Sequence, residues 1–229
     1  MRLVPAPAPV HCRPEAWSLL QDQLERIETP EGLLGGALAL ALHAEPSLVP
    51  ERVEIELDRI TESIRVRLHS DDPRAAVAHA HAVLFDELGF RGDTDSYYDP
   101  ANSSLPQVLA RRRGLPITLC LLYKLVVEPL GLEVDGLNAP GHFLVAVRGP
   151  APFGRMIVDP FAAGRALGQS EALARVREIS GTAFDGPLPV ATHRQWLQRM
   201  LRNLVGSYGT RNQSEDRAAM EELLALLGA

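Results

Sequence analysis

The sequence predicts an α+β fold, a small antiparallel sheet flanked by N-terminal and C-terminal helices, and three observations carry that reading. Apolar residues at helical spacing dominate the first ninety positions; two short apolar runs, His142 to Val147 and Met156 to Asp159, flank a Gly/Pro loop; and helical spacing returns from Ser170 onward. Helices, then paired strands, then helices is the order of a segregated α+β chain. At 229 residues and 46% hydrophobic composition, the chain can bury one large core, as one domain or one with a small appendage.

Residues 1–14 hold four prolines and no periodicity, which predicts a flexible arm. In residues 15–90, the N-terminal helical region, Ala16, Leu20, Leu24 and Ile27 mark a first helix. Pro30 opens a second that runs to about Leu42, and Val53, Leu57, Ile60, Ile64 and Leu68 mark a third. Asp72 caps a fourth with Pro73 at its first position, Val77, Ala80, Leu84 and Leu88 inward, and Gly89 as a left-handed stop. The span 91–168 is the expected core domain. It opens on a polar loop, 91–103, too long and too aromatic for a plain connector; its Arg91-Gly92-Asp93 reads as a turn, not as an adhesion tripeptide. Ser104 and Pro106 start a short helix that ends at Gly114, and Pro116 starts an apolar one through Val127 that must be buried. A strand near Leu132 to Leu137 precedes the hairpin. Residues 169–229 supply helices near 170–179, 192–207 and 214–227.

A net charge of -6 and a pI near 5.7 argue against a nucleic-acid partner. Cys12 and Cys120 are the only cysteines, and Pro5 to Pro9 replace the apolar stretch of a secretory leader, so a reducing cytoplasm is expected. The apolar run from Ile117 to Val127 is about half a membrane span and contains Lys124, so no membrane segment is expected. His79 and His81 point about 200° apart on a helix and cannot chelate one ion. Gly32, Gly35 and Gly36 lack the Lys-Ser/Thr of a phosphate loop. Neither a metal nor a cofactor is expected.

The segment from Tyr98 to Tyr123, with Arg112-Arg113-Gly114-Leu115-Pro116-Ile117-Thr118-Leu119 inside it, followed by Leu130-Gly131-Leu132, Pro140-Gly141-His142-Phe143-Leu144 and Asp159-Pro160-Phe161, resembles the SirB-one family of transglutaminase-like proteins. The resemblance covers about residues 32–168 and includes Asp86 to Gly92. It implies a transglutaminase-like core of the papain-like cysteine-protease type, and the family's frequent tetratricopeptide-like tail has room here for one hairpin, at 192–227. The wider superfamily carries a Cys at the start of the buried helix, a His on the first hairpin strand and an Asp on the next. His142 and Asp159 match. The Cys position falls at Pro116, as is usual in the SirB-one pattern, and proline cannot act as a nucleophile.

The hairpin brings the two matching residues together on geometry alone. A register that sets Val147 opposite Gly154 sets His142 opposite Asp159, with Cβ atoms about 5 Å apart. A carboxylate beside an imidazole fixes its tautomer and raises its basicity, which is half of a triad; the same bond also simply ties two strands. Cys120, one helical turn beyond Pro116, gains little from the helix dipole and is expected to be a core residue whose pKa burial raises. Thr118 is expected to cap backbone, and Arg111, Arg112 and Arg113 to form a solvated helix end, with anion binding as the weaker alternative.

Two functions follow as expectations. The first is a non-catalytic binding or regulatory protein, a pseudoenzyme, with a groove between Tyr97, Tyr98, Asn102, Pro116 and His142 for a protein or peptide partner. The second is an amidase, protease or acyl-transfer enzyme with Cys120 as nucleophile, His142 as base and Asp159 as its orienting acid. A third, an interaction module that uses the stripe of Trp196, Leu197, Met200 and Leu201, competes with plain core packing. Oligomeric state is left open by the sequence.

Overall fold

The computed structural model describes residues 8–181 and 183–228. Four helices come first: α1 (Pro14–Gln23), α2 (Pro30–Ala44), α3 (Pro50–Arg65) and α4 (Pro73–His81), each opened by a proline whose missing N–H costs nothing at a first helical position. Thr29 caps α2 through Gly32 N and Asp72 caps α4 through Arg74 N. The fourth helix does not run evenly to Gly89. After His81 it widens into a π-helical turn, 82–87, closed by Leu88 N donating to Val83 O at 2.9 Å, and Gly89 then turns left-handed at φ 69°. This turn carries Phe85, which stacks on Tyr123, while His81 bonds the Tyr123 hydroxyl at 3.0 Å.

A short parallel pair, β1 (Arg91–Gly92) with β2 (Arg113–Gly114), brackets the 91–103 loop and α5 (Leu105–Arg111). The three arginines are therefore not one solvated helix end. Arg112 is left-handed at φ 59° and ends α5, with its guanidinium over the Phe90 ring and 3.6 Å from Glu56. Arg111 faces Asp93 and Asp99, and Arg113 bonds the carbonyls of Gly89 and Arg112. Arg111 holds the loop, and Arg112 and Arg113 hold its flanks.

The buried helix α6 (Pro116–Val127) lies across a four-stranded antiparallel meander, β3 (Glu133–Ala139), β4 (His142–Gly149), β5 (Gly154–Asp159) and β6 (Arg165–Leu167). Its one ammonium, Lys124, is buried but satisfied by Glu128 and by Val134 O. Phe143, Val145, Val147 and Val158 face the helix side of the sheet. Leu144, Ala146, Ile157 and Leu167 face the other side, where α7 (Gln169–Ser180) covers them with Ala172 and Val176. The long α8 (His193–Thr210) starts with a capping box, Thr192 with Gln195, and pairs with α9 (Ser214–Leu226). One apolar cluster runs from Cys12 through α2, α6 and α8 to Leu227.

Residues 1–7 of the expected Pro-rich arm lie outside the described residues, but its end is fastened. The Glu222 carboxylate on α9 accepts the amides of Val10, His11 and Cys12 at 2.8–3.1 Å, and Cys12 is buried. Burial pushes the Glu222 pKa up, but the three amides outweigh it and the net shift is downward. A depressed carboxylate stabilises the fold above its unfolded pKa and loses that contribution as pH falls through its folded value, so the clasp opens only on the acid side of the usual glutamate range. Glu222→Ala is expected to raise hydrogen exchange at Val10 to Cys12 roughly tenfold, equivalent to about 1.4 kcal/mol for the lost charge-assisted bonds. Unchanged exchange at those three amides would show that the clasp does not hold the arm.

Candidate functional site

The two catalytic-type side chains meet, but through a register different from the expected one. Gly149 pairs with Gly154 and Val147 with Met156, so Asp159 is a diagonal neighbour of His142 instead of its direct partner. The loop is tighter than the expected register required, with Phe153 N bonded to Pro150 O at 3.0 Å. The slip is two residues, and an even slip preserves which face each side chain points to. His142 pairs across to Ala139 on β3, and its Nε2 lies 2.9 Å from Asp159 Oδ2. A carboxylate only accepts, so Nε2 is the donor in this bond. Asp159 Oδ1 accepts the amides of Phe161 and Ala162, which makes it the cap of the turn after β5 as well.

Both groups are enclosed, His142 at 3% and Asp159 at 1% exposure. The Phe161 ring meets the imidazole edge-on at 6.1 Å, Tyr97 meets Phe161 at 6.1 Å, and Tyr98 meets Tyr97 at 5.3 Å. This aromatic run leads from the imidazole to the surface, where Tyr98 is 68% exposed. On the other side, a cavity of about 280 Å³ adjoins Asp159, with Arg175, Arg165 and Glu178 in its wall. Arg175 Nε is 3.9 Å from the carboxylate.

Cys120 lies against the same strand, its thiol 3.5 Å from Phe143 O and its side chain fully buried. Burial pushes the thiol pKa well above its usual value, the Asp159 charge adds to that, and Arg199 opposes it weakly. Pro116 opens α6 with Leu115 before it, and Leu115 N donates to Asn102 O. Thr118 does not cap: its hydroxyl is buried without a partner among the described residues. Of the expected groove, Asn102, Pro116 and His142 are buried and Tyr97 is half-buried; Asn102 spends its amide on Ser96 O and Tyr97 O. Only Tyr98 presents an open surface.

Two arginines near the pair come from elements the hairpin does not reveal. Arg199 on α8 bonds Ala139 O at 2.7 Å and Asn138 Oδ1, with its guanidinium over the Phe143 ring at 5.5 Å. Its spacing of three from Trp196 places it on the sheet-facing side of α8, which is the signal the sequence offered. Arg175 on α7 has no such signal. Among the described residues no group of three or more His, Cys, Asp or Glu side chains is arranged to hold a metal ion, and no helix is long and apolar enough to cross a membrane.

A family model described as the transglutaminase-like superfamily matches residues 51–202. A UPF0162 protein of Xylella fastidiosa strain 9a5c is 43% identical over 149 residues, which cover 62% of this chain and 52% of that protein. A UPF0162 protein of Pseudomonas aeruginosa is 31% identical over 182 residues, 77% of this chain and 65% of that one. Human F-box only protein 21 is 34% identical over 129 residues, 54% of this chain but 20% of its own length. The chain thus spans about half the length of the first curated relatives it matches. No solved structure matches it.

Proposed function

Because this chain belongs to the transglutaminase-like superfamily and encloses its thiol, we propose that it is a non-catalytic binding or regulatory protein, with the His142–Asp159 pair as the brace of its binding surface. The observation that carries this is Cys120, fully buried, bonded to Phe143 O and with a raised pKa. A nucleophilic thiol needs the opposite environment, partly exposed and electropositive. The partner, a protein or peptide, meets the aromatic run outside the pair, where Tyr98 is the exposed anchor. The match to F-box only protein 21, limited to 20% of that protein, supports a module that serves within larger proteins.

Iodoacetamide labelling read by mass spectrometry tests the non-catalytic half of the proposal. Cys120 is expected to stay unmodified in the folded protein at neutral pH and to label fully in guanidinium, in wild type and in Tyr98→Ala alike. Labelling of folded wild type that disappears in His142→Ala would instead support the Cys120–His142–Asp159 amidase, protease or acyl-transfer reading. The binding half predicts that Tyr98→Ala weakens partner capture without a change in melting temperature.

A further inference from the structure

A separate cavity of about 200 Å³ opens where the end of α2 meets the start of α5 and the second half of α8. Leu40, Ala41 and Leu204 give it an apolar floor, and Tyr208 stands in its wall. An apolar cavity of about 150 Å³ holds a benzene ring, so this one has room for a ring and a short substituent. At its edge lies the Glu45 carboxylate. Oε1 accepts from the Ser104 hydroxyl and Oε2 from the Gln107 amide, both at 2.8 Å. An ionised carboxylate offers about four acceptor positions, so each oxygen keeps one free while two neutral donors fix its orientation.

What Glu45 lacks is a counter-charge. Asp99 faces Arg111 and Arg211 at 3.8 and 3.9 Å and Asp216 bonds the His43 ring, whereas among the described residues no Lys or Arg lies within 4 Å of Glu45. Burial, and after it the charges of Asp216, Glu45 and Asp99, push the Tyr208 hydroxyl up to about 12. A second polar group in the wall is also unspent, since Ser103, 1% exposed, has a hydroxyl without a partner. A half-buried, oriented, unpaired carboxylate beside an aromatic ring and an apolar floor is the chemistry that selects an organic cation.

We propose that this cavity binds a small organic ammonium, a compact apolar body with one protonated amine, the amine on Glu45 and the body against Leu40 and Leu204. Benzylamine, an ammonium at neutral pH, and benzyl alcohol, its neutral counterpart of the same shape, are the probes. Each is titrated into methyl-labelled protein while the Leu40 and Leu204 methyl resonances are followed by NMR. In wild type the ammonium is expected to bind roughly tenfold more tightly than the alcohol, the effect of one charge-assisted contact. In Glu45→Gln, which keeps an acceptor for Ser104, the two probes become equal within about twofold. Ala44→Trp, at the exposed rim, is expected to exclude both. Equal binding of the two probes to wild type, a preference that survives Glu45→Gln, or no shift of the two methyls at millimolar probe would each overturn the assignment.

Discussion

Asp159→Ala is expected to cost about 3–5 kcal/mol, because it removes the acceptor of three hydrogen bonds at about 1–3 kcal/mol each. For a chain of this length that is a fall in melting temperature of roughly 10 °C. Three donors lose their acceptor at once: His142 Nε2 on one carboxylate oxygen, and the amides of Phe161 and Ala162 on the other. The imidazole has the least access to water, at 3% exposure, while Phe161 and Ala162 are half-buried and the Phe161 ring fills the space over Gly92. Asp159→Asn separates the two roles. Its amide oxygen still caps the turn, but its NH₂ meets the Nε2–H donor and cannot accept it. The expected cost is about 1–3 kcal/mol, the ordinary penalty for one poorly satisfied buried group. Urea unfolding of both variants measures the difference. If Asp159→Ala unfolds at the wild-type midpoint, the pair braces nothing, and its place at the centre of the site loses its physical basis.

How far the site was legible depends on which interactions are local. The starts of α2, α4 and α6 were legible because Pro30, Pro73 and Pro116 at the first position, with Asp72 before Pro73, act within three residues. That His142 and Asp159 share a face was legible because alternation along two adjacent strands fixes it, and a two-residue error of register leaves it intact. The register itself was not, since it depends on how tightly residues 150–153 turn. Enclosure of the pair was not legible either. The residues that surround it, Arg175 and Arg199, arrive from α7 and α8, and no spacing within the hairpin reports their approach. The same holds for Arg112, whose left-handed backbone is set by the β1–β2 pairing and by Phe90, not by its own preference. The raised pKa of Cys120 followed from the local sequence, because Ile117, Leu119, Leu121 and Leu122 around it are apolar and burial is the largest cause of the shift.

The second large effect lies where α8 locks the site to the sheet. Trp196 is fully buried, donates its indole N–H to Ile117 O in the first turn of α6 at 3.2 Å, and packs on Phe143 at 4.6 Å. Gly136 on β3 is the surface that receives it. A Cβ there would lie 2.6 Å from Trp196 Cε3 and 2.8 Å from Phe143 Cε1, both atoms of rigid rings. Neither ring can retreat, because the indole is pinned by Ile117 and Phe143 carries Arg199 on its face. Gly136→Ala is therefore expected to destabilise by about 1–3 kcal/mol through overpacking, and Trp196→Ala by about 3–5 kcal/mol through the cavity it leaves. The decisive quantity is their coupling. In the Trp196→Ala background the indole contacts are gone and only Phe143 Cε1 remains near the methyl, with the vacated space for that ring to tilt into, so Gly136→Ala should cost less and the double mutant should be more stable than the sum predicts by about 1–3 kcal/mol. A cycle that closes additively in urea unfolding would mean that the strand yields to the methyl without the indole. In that case α8 does not set the spacing between α6 and the strand that bears His142.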